Sequence, residues 1–216
     1  MNEPALEQLL ESEVAGAELF IGEVVVRRHA NGGFELRHRD DSAAASLPEE
    51  VPPSRTIEIA KFDDAGKYRP LRTAPTLRRG WKVVASDTAS LIAVLDALYP
   101  ARLAVWRAWR LGRLATTPLR DTLNRQSGIY RAAARISDAS LDELVRNFCR
   151  SDGGCLRTIF WRRDRTGEVA STKLPPEKFD PAHDQTGRGE KCIPLLCQEA
   201  CGLLVSACAE AVKSGR

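Results

Sequence analysis

The first third of the chain is dominated by apolar residues at strand-like spacing. AELFIGEVVVRRH is rich in β-branched residues, GFELRHRD alternates apolar and polar positions, and ANGG between them supplies the Asn and Gly of a tight reversal. These segments predict a hairpin from Glu18 to Arg39. RTIEIAKF also alternates and predicts a third strand from Thr56 to Phe62. The Pro-rich and Gly-rich stretch from Asp63 to Trp81 predicts a long ordered loop.

From Ser86 onwards the apolar residues recur at helical spacing. SDTASLIAVLDALYP and ARLAVWRAWRLGRLATTP predict two helices between Ser86 and Leu114, the first with Ser and Asp as capping residues. TPLRDTLNRQSGIYRAAARI predicts a short helix, a break at Gly and a strand. SDASLDELVRNFC predicts a helix that starts at Ser137 or Asp138 and ends at Cys149, and IPLLCQEACGLLVSACAEAVK predicts a last helix that starts at Pro194.

The order of these segments predicts the fold class. Strand-period and helix-period segments are segregated, whereas parallel βαβ units would alternate them. The sequence therefore predicts an α+β protein, with an N-terminal antiparallel sheet that is covered by the helices between Ser86 and Leu114.

Composition excludes two classes of protein. Of the 216 residues, 43% are hydrophobic and 28% are charged, which is typical of a globular chain and too apolar for a disordered one. The net charge of +3 is small for a dedicated nucleic-acid binder, so nucleic acid is not the expected partner. The N-terminal MNEPALEQLLESEVAG carries acidic residues where a signal peptide is basic, and no apolar run approaches eighteen residues. We expect a cytoplasmic protein without a membrane partner.

The cysteines lie in the last third of the chain. In a reducing compartment they indicate a metal, redox or packing role more than a disulfide framework. Their spacing is C-x5-C, a gap of 36 residues, and then C-x4-C-x3-C-x6-C, formed by Cys149, Cys155, Cys192, Cys197, Cys201 and Cys208.

Two pairs of these cysteines predict a four-thiolate site. On the predicted last helix, Cys197 and Cys201 lie one turn apart on one face, whereas Cys208 lies roughly 16 Å from Cys197 and is assigned to packing. Cys149 and Cys155 enclose RSDGG, whose Gly residues allow a tight turn that directs amide N–H groups towards an anionic centre.

The spacing of the pairs favours an iron-sulfur cluster over zinc. Zinc sites usually take both pairs of cysteines two to four residues apart, whereas an iron-sulfur cluster tolerates irregular spacing. Such a cluster also gains from nearby cations, here Arg150 and Arg157. Zinc and free buried thiols remain the alternatives at this point.

Four segments carry a resemblance to a known family. APTLRRGW, RQSGIYR, CRSDGGCLRTIFW and CQEAC, in this order, resemble the C-terminal half of bacterial proteins similar to sirohydrochlorin cobaltochelatases of the CbiX type. The resemblance runs from about Glu18 to the C-terminus. It implies a stabilising domain over residues 1–145 and a small α+β domain over residues 146–216 that binds a 4Fe-4S cluster.

The resemblance also implies a ligand set, formed by Cys149, Cys155, Cys197 and Cys201. Cys192 is the reserve, because its C-x4-C spacing with Cys197 could furnish a pair that displaces Cys201. The chelatase domains that precede this region in the resembled proteins are absent from the sequence, so chelatase activity is not expected.

No self-contained catalytic motif is found, and no catalytic residue is predicted. His29 and His38 fall in the predicted hairpin and His183 in a polar loop, and none lies in a nucleophile, phosphate-binding or dinucleotide-binding motif. Whether the chain is an enzyme stays open, and the sequence predicts no oligomeric state.

Three functions are compatible with this pattern. The first is an accessory or electron-transfer iron-sulfur protein in cobalamin or sirohaem metabolism, with a chelatase or another tetrapyrrole-pathway protein as its partner. The second is a cluster enzyme with an open iron site. The third is an interaction module held together by a structural zinc or iron-sulfur site.

Overall fold

The computed structural model describes residues 4–15, 18–44, 49–68, 77–149, 155–165 and 191–215. The chain forms two compact units. The first consists of Met1–Gly112 and Pro181–Leu195, and the second of Arg113–Asp180 and Leu196–Arg216. This division falls at Gly112, earlier than the expected boundary between residues 145 and 146.

Strands occur in both units. Within the described residues they are β1 (Leu19–Ile21), β2 (Val24–Arg28), β3 (Phe34–His38), β4 (Glu49–Glu50), β5 (Trp81–Ala85), β6 (Thr158–Ile159), β7 (Cys192–Ile193) and β8 (Leu196–Cys197). The helices in the same residues are α1 (Leu6–Val14), α2 (Ile57–Lys61), α3 (Thr88–Leu98), α4 (Arg102–Arg110), α5 (Leu119–Asn124), α6 (Asp138–Cys149) and α7 (Gly202–Lys213).

The first unit is built on a mixed six-stranded sheet of order β4-β5-β3-β2-β1-β7. The α+β class is confirmed. The four central strands pair with one another in antiparallel orientation, as predicted, whereas the edge strands β4 and β7 pair with β5 and β1 in parallel. The two parallel edges were not predicted, because each is formed by a strand of only two residues.

The predicted hairpin is present as β2 and β3, whose register runs from Val24↔His38 to Arg28↔Phe34. The segment AELFIGEVVVRRH was expected to form one strand of the hairpin. It reverses at Gly22, which has a φ of +57°, and forms the two strands β1 and β2. Glycine is needed there because other residues rarely adopt positive φ.

The predicted third strand from Thr56 to Phe62 is wrong, because Ile57–Lys61 forms α2. Thr56, Ile59 and Ala60 are all fully buried, which is the i, i+3, i+4 spacing of a helix face. The missed strand is β5, whose alternating buried positions begin at Trp81, where the predicted loop ends.

The two helices predicted between Ser86 and Leu114 are confirmed as α3 and α4. The Asp87 carboxylate caps α3 by accepting a hydrogen bond of 2.8 Å from the backbone N–H of Ser90. No single helix in the described part of the chain is long and apolar enough to cross a membrane; α3 and α4 pass that test only as a pair, bent by 112°.

The second unit has its own hydrophobic cluster, to which α5, α6, β6, β8 and α7 all contribute. The strand predicted within GIYRAAARI is wrong, because Gly128–Arg135 forms a 3-10 helix that packs against α7. Adjacent Ala132 and Ala133 are both buried there, whereas a strand would direct them to opposite faces. Their small side chains allow the close approach to α7.

Replacing Gly22 with Ala tests the turn between β1 and β2. A Cβ at Gly22 would lie 2.8 Å from both Leu195 Cδ1 and the Tyr99 hydroxyl, in addition to the strain of positive φ. We expect Gly22→Ala to lower the free energy of unfolding by about 3 kcal/mol, measured by urea denaturation. The matched control is Gly66→Ala, because Gly66 has a φ of +74° but open space around it, so only the backbone cost of about 1 kcal/mol applies. Equal losses in the two variants would contradict the packing argument.

Candidate metal centre

Three chain segments of the second unit carry the four cysteines predicted as ligands. Cys149 is the last residue of α6, and Cys155 opens the described segment 155–165. Cys197 lies in β8, and Cys201 is the N-cap of α7. The start of α6 is as predicted, since the Ser137 hydroxyl accepts a hydrogen bond of 3.2 Å from the backbone N–H of Ser140.

The predicted geometry of the second pair is wrong. α7 begins at Gly202 and not at Pro194, so Cys197 and Cys201 do not lie one turn apart on a helix. Backbone pairing explains the difference. Residue Cys197 is in register with Ile159 of β6, and its carbonyl accepts a hydrogen bond of 2.9 Å from the N–H of Phe160. The carbonyl of Gln198 accepts one of 3.0 Å from Thr117.

The four thiols lie close enough to influence one another's pKa values. Burial raises the pKa of the Cys149 thiol, and the nearby Cys155, Cys201 and Cys197 sulfurs raise it further. Burial likewise raises the pKa of the Cys155 thiol, again with contributions from Cys197 and Cys201. Their use as metal ligands stays a prediction. Within the described residues, no three His, Cys, Asp or Glu side chains are arranged to hold a single metal ion.

Two of the sulfurs accept hydrogen bonds from N–H groups. The indole Nε1 of Trp161 donates to Cys197 Sγ at 3.3 Å, and the backbone N–H of Arg157 donates to Cys155 Sγ at 3.4 Å. As a thiol, Cys197 also donates to the carbonyl of Glu199 at 3.1 Å. Donors of this kind are typical of iron-sulfur sites, where they stabilise electron-rich sulfur. Sequence reasoning did not single out Trp161, although it follows the cysteine motif.

Arg157 also supplies positive charge. Its guanidinium lowers the pKa of the Cys155 thiol, against the larger effect of burial. Its Nε is buried and, among the described residues, has no hydrogen-bond partner. A buried donor without a partner is costly, and an anionic group beside it would remove that cost.

Cys201 occupies a position that suits negative charge. Its backbone is extended at the start of α7, and no side-chain capping bond holds its sulfur to the helix. The amide groups in the first turn of a helix carry partial positive charge. The Cys201 sulfur therefore lies at the positive end of the α7 dipole, where it could coordinate a metal as a thiolate.

The remaining cysteines differ in setting. Cys208 is fully buried in the hydrophobic cluster, where burial raises its pKa to about 11, in agreement with a packing role. Cys192, the reserve ligand, lies in the other unit, in register with Phe20 on the sheet edge. Its reserve role stays a prediction.

Two histidines have local structural contacts in the first unit. His38 is buried, its Nδ1 accepts from the N–H of Asp40 at 3.2 Å, and burial lowers its pKa. His29 Nδ1 accepts from the N–H of Asn31 at 3.4 Å. His183, Arg150 and the RSDGG turn lie outside the described residues.

The donor set fits an iron-sulfur cluster. Four sulfurs come from three segments, and two of them accept N–H hydrogen bonds. The segment that carries Cys155 also carries Arg157, whose Nε has no hydrogen-bond partner among the residues that the structure describes. Such a cluster with four thiolates carries net negative charge, which the Arg157 cation and the start of α7 would offset.

The raised thiol pKa values predict how the metal-free protein responds to alkali. The folded state holds the Cys149 and Cys155 protons more tightly than the unfolded state, so this stabilisation is complete below the ordinary thiol pKa of 9.0 and is lost as the pH rises above it. We expect the free energy of unfolding of metal-free protein to fall between pH 8 and pH 10 in urea titrations. The fall should be smaller in metal-free Cys149→Ala. An equal fall in both proteins would contradict the prediction.

Comparison with solved structures gives a match over nearly the whole chain. The crystal structure of DR2241 from Deinococcus radiodurans, at 1.9 Å resolution, aligns with a TM-score of 0.70 and 29% identity over 96% of this chain. It is described as a multi-domain protein with structural similarity to chelatases and with two additional novel domains. The match covers 41% of that protein. No match is found among curated proteins.

Two family models cover most of the chain. The model of the 4Fe-4S iron-sulfur cluster binding domain matches residues 111–210, which confirms a 4Fe-4S cluster as the cofactor. The model of the DR2241 stabilising domain matches residues 5–124. Because this second match spans more than half of the sequence, the chain belongs to the DR2241 stabilising domain family.

Proposed function

We propose that this chain is an accessory iron-sulfur protein of tetrapyrrole metabolism, in the cobalamin or sirohaem branch, and that Cys149, Cys155, Cys197 and Cys201 hold its 4Fe-4S cluster. It acts with a chelatase or another tetrapyrrole-pathway protein, through reversible one-electron change or through docking that depends on the cluster. The observation that carries the proposal is the gathering of these four sulfurs within one unit, two of them as acceptors of N–H hydrogen bonds.

The link to tetrapyrroles rests on the relative. DR2241 is similar in structure to chelatases, and this chain corresponds to less than half of it. Chelatases insert metal ions into tetrapyrroles, so a protein that handles tetrapyrroles is the partner that we propose for this iron-sulfur chain. We extend that association, and not chelatase activity, to this chain.

The residues around the sulfurs have distinct tasks. The cluster, when bound, supplies one-electron chemistry. Trp161, which is 1% exposed, and the surrounding hydrophobic cluster exclude water from the Cys149 and Cys197 side. Arg157 provides positive charge beside Cys155. Cys155 and Cys201 are only partly buried, which leaves this side nearer to solvent and to a partner.

Positive surface charge in the second unit is partly neutralised within the chain. Arg163 pairs with Asp142 at 2.8 Å, and Arg165 pairs with Asp121 at 3.4 Å. Ile129 and Tyr130, by contrast, are 69% and 40% exposed on the 3-10 helix. A partner that docks on this unit therefore gains from apolar contact as well as from charge.

A structural metal site is the second candidate. Cys149 and Cys197 belong to the hydrophobic cluster of the unit, and Cys201 packs against it, so the same residues contribute to folding. A structural site would leave the protein silent in redox titrations while its removal unfolds the unit. A cluster enzyme with an open iron would instead require only three of the four cysteines.

Replacement of single cysteines tests the ligand set. We expect Cys149→Ser, Cys155→Ser, Cys197→Ser and Cys201→Ser each to lose most of the cluster, since a hydroxyl is a poor ligand for iron. The measurements are iron and sulfide content and the visible spectrum after anaerobic purification. Cys208→Ala and Cys192→Ser are the controls and should keep the cluster. If Cys192→Ser loses it while Cys201→Ser retains it, the fourth ligand is Cys192 and the proposed set is wrong.

Redox titration and partner capture test the role. We expect a reversible one-electron change in the visible or EPR spectrum, and capture of a tetrapyrrole-pathway enzyme from native extract at low salt. Capture should weaken at higher ionic strength, because exposed charges are screened beyond about 8 Å at 0.15 M. Cluster-free Cys149→Ser protein is the control for cluster-dependent docking. A redox-silent cluster together with no captured tetrapyrrole enzyme would leave the structural site as the function.

A further inference from the structure

We infer that Trp161 is a positioning residue that raises the reduction potential of the cluster through the hydrogen bond from its indole N–H to Cys197 Sγ. This inference rests on the proposed function, because it takes Cys197 as a ligand. The two atoms, Nε1 and Sγ, are 3.3 Å apart, and the residues Trp161 and Cys197 are 1% and 7% exposed. Water therefore does not compete for this hydrogen bond.

Backbone contacts on both sides hold Trp161 in place. On one side, β6 pairs in parallel with β8, and the Phe160 N–H donates to the Cys197 carbonyl at 2.9 Å. On the other side, the carbonyl groups of Arg162 and Arg163 accept hydrogen bonds of 2.8 and 2.7 Å from α5. These backbone contacts place the indole beside the sulfur.

The choice of acceptor is informative. A buried indole N–H ordinarily needs a good acceptor, and Trp81 of the same protein donates to the Arg78 carbonyl at 2.6 Å. Trp161 donates to sulfur, which is a weak acceptor as a neutral thiol. The same sulfur becomes a strong acceptor when it is an anionic metal ligand. The position of Trp161 therefore suits a sulfur that carries negative charge.

Metal binding would also change the other contact of this sulfur. In the free thiol, Cys197 donates its proton to the Glu199 carbonyl at 3.1 Å. A metal-bound thiolate has no proton to donate, whereas the Trp161 contact persists and strengthens. Because added electron density on the reduced cluster is shared by its sulfurs, an N–H donor stabilises the reduced form more than the oxidised form.

The variant Trp161→Phe tests the inference, since it removes the N–H donor and keeps an aromatic ring. We expect its cluster to titrate at a more negative potential than the wild-type cluster in spectroelectrochemistry, with the same iron and sulfide content. The matched control is Trp81→Phe, which removes a buried indole hydrogen bond from the first unit and should leave the potential unchanged. An unchanged potential in Trp161→Phe, even with lower stability, would overturn the inference and reduce Trp161 to a packing residue.

A second measurement needs no variant, in case Trp161→Phe fails to fold or to load. Exchange of the wild-type protein into D2O replaces the indole proton, so the iron-sulfur stretching bands that involve Cys197 should shift in resonance Raman spectra at the rate of indole exchange, whereas exchange of the Arg157 N–H affects the bands that involve Cys155. The shift should be smaller in any loaded Trp161→Phe protein. Absence of a shift after full indole exchange, verified by NMR, would overturn the inference. Wild-type protein without a 4Fe-4S spectrum would instead remove the proposed function and the inference with it.

Discussion

The parallel pairing of β6 with β8 is the contact on which the proposed metal centre depends. It brings the segment that follows Cys155 alongside the segment that contains Cys197, in the register Ile159↔Cys197. Each strand has only two residues, and so short a ladder contributes little stability by itself. The pairing persists because Ile159, Trp161 and Leu196 are buried and because α5 donates backbone hydrogen bonds to residues 162 and 163.

Two of the cysteines that we propose as ligands also belong to the hydrophobic cluster of the second unit. Cys149 and Cys197 are nearly as buried as the leucines around them, and a buried thiol resists the ionisation that iron binding requires. The unit offsets this cost locally, with N–H groups directed at two sulfurs and with the charge of Arg157. This environment opposes a free thiolate, and under the proposed ligand set it would favour a thiolate that is bound to metal.

Sequence reasoning succeeded where one period dominates a long segment, as in β2, β3, α3 and α6. It failed where a short segment satisfies two periods. Ile57 and Ile59 suggest alternation, but the burial of Thr56 and Ala60 with Ile59 follows a helix. Likewise, the apolar run after Pro194 suggests a helix through Cys197, but pairing with β6 holds that part extended. The cysteines were recognisable by type and spacing. The role proposed for Trp161 could not be recognised from the sequence, because it depends on a contact with Cys197, which is 36 residues further along the chain.

The path of the chain between the two units has a consequence for dissecting the protein. After entering the second unit at Arg113, the chain returns to add β7 beside β1 and then re-enters the second unit at β8. Neither unit is a continuous piece of sequence. A fragment that stops at Gly112 would leave the backbone N–H and C=O groups along the outer side of β1 unpaired, and an open apolar edge of this kind invites strand addition and aggregation. Truncation of the chain before residue 192 would therefore damage the sheet of the first unit at the same time as it removes Cys197 and Cys201 from the second.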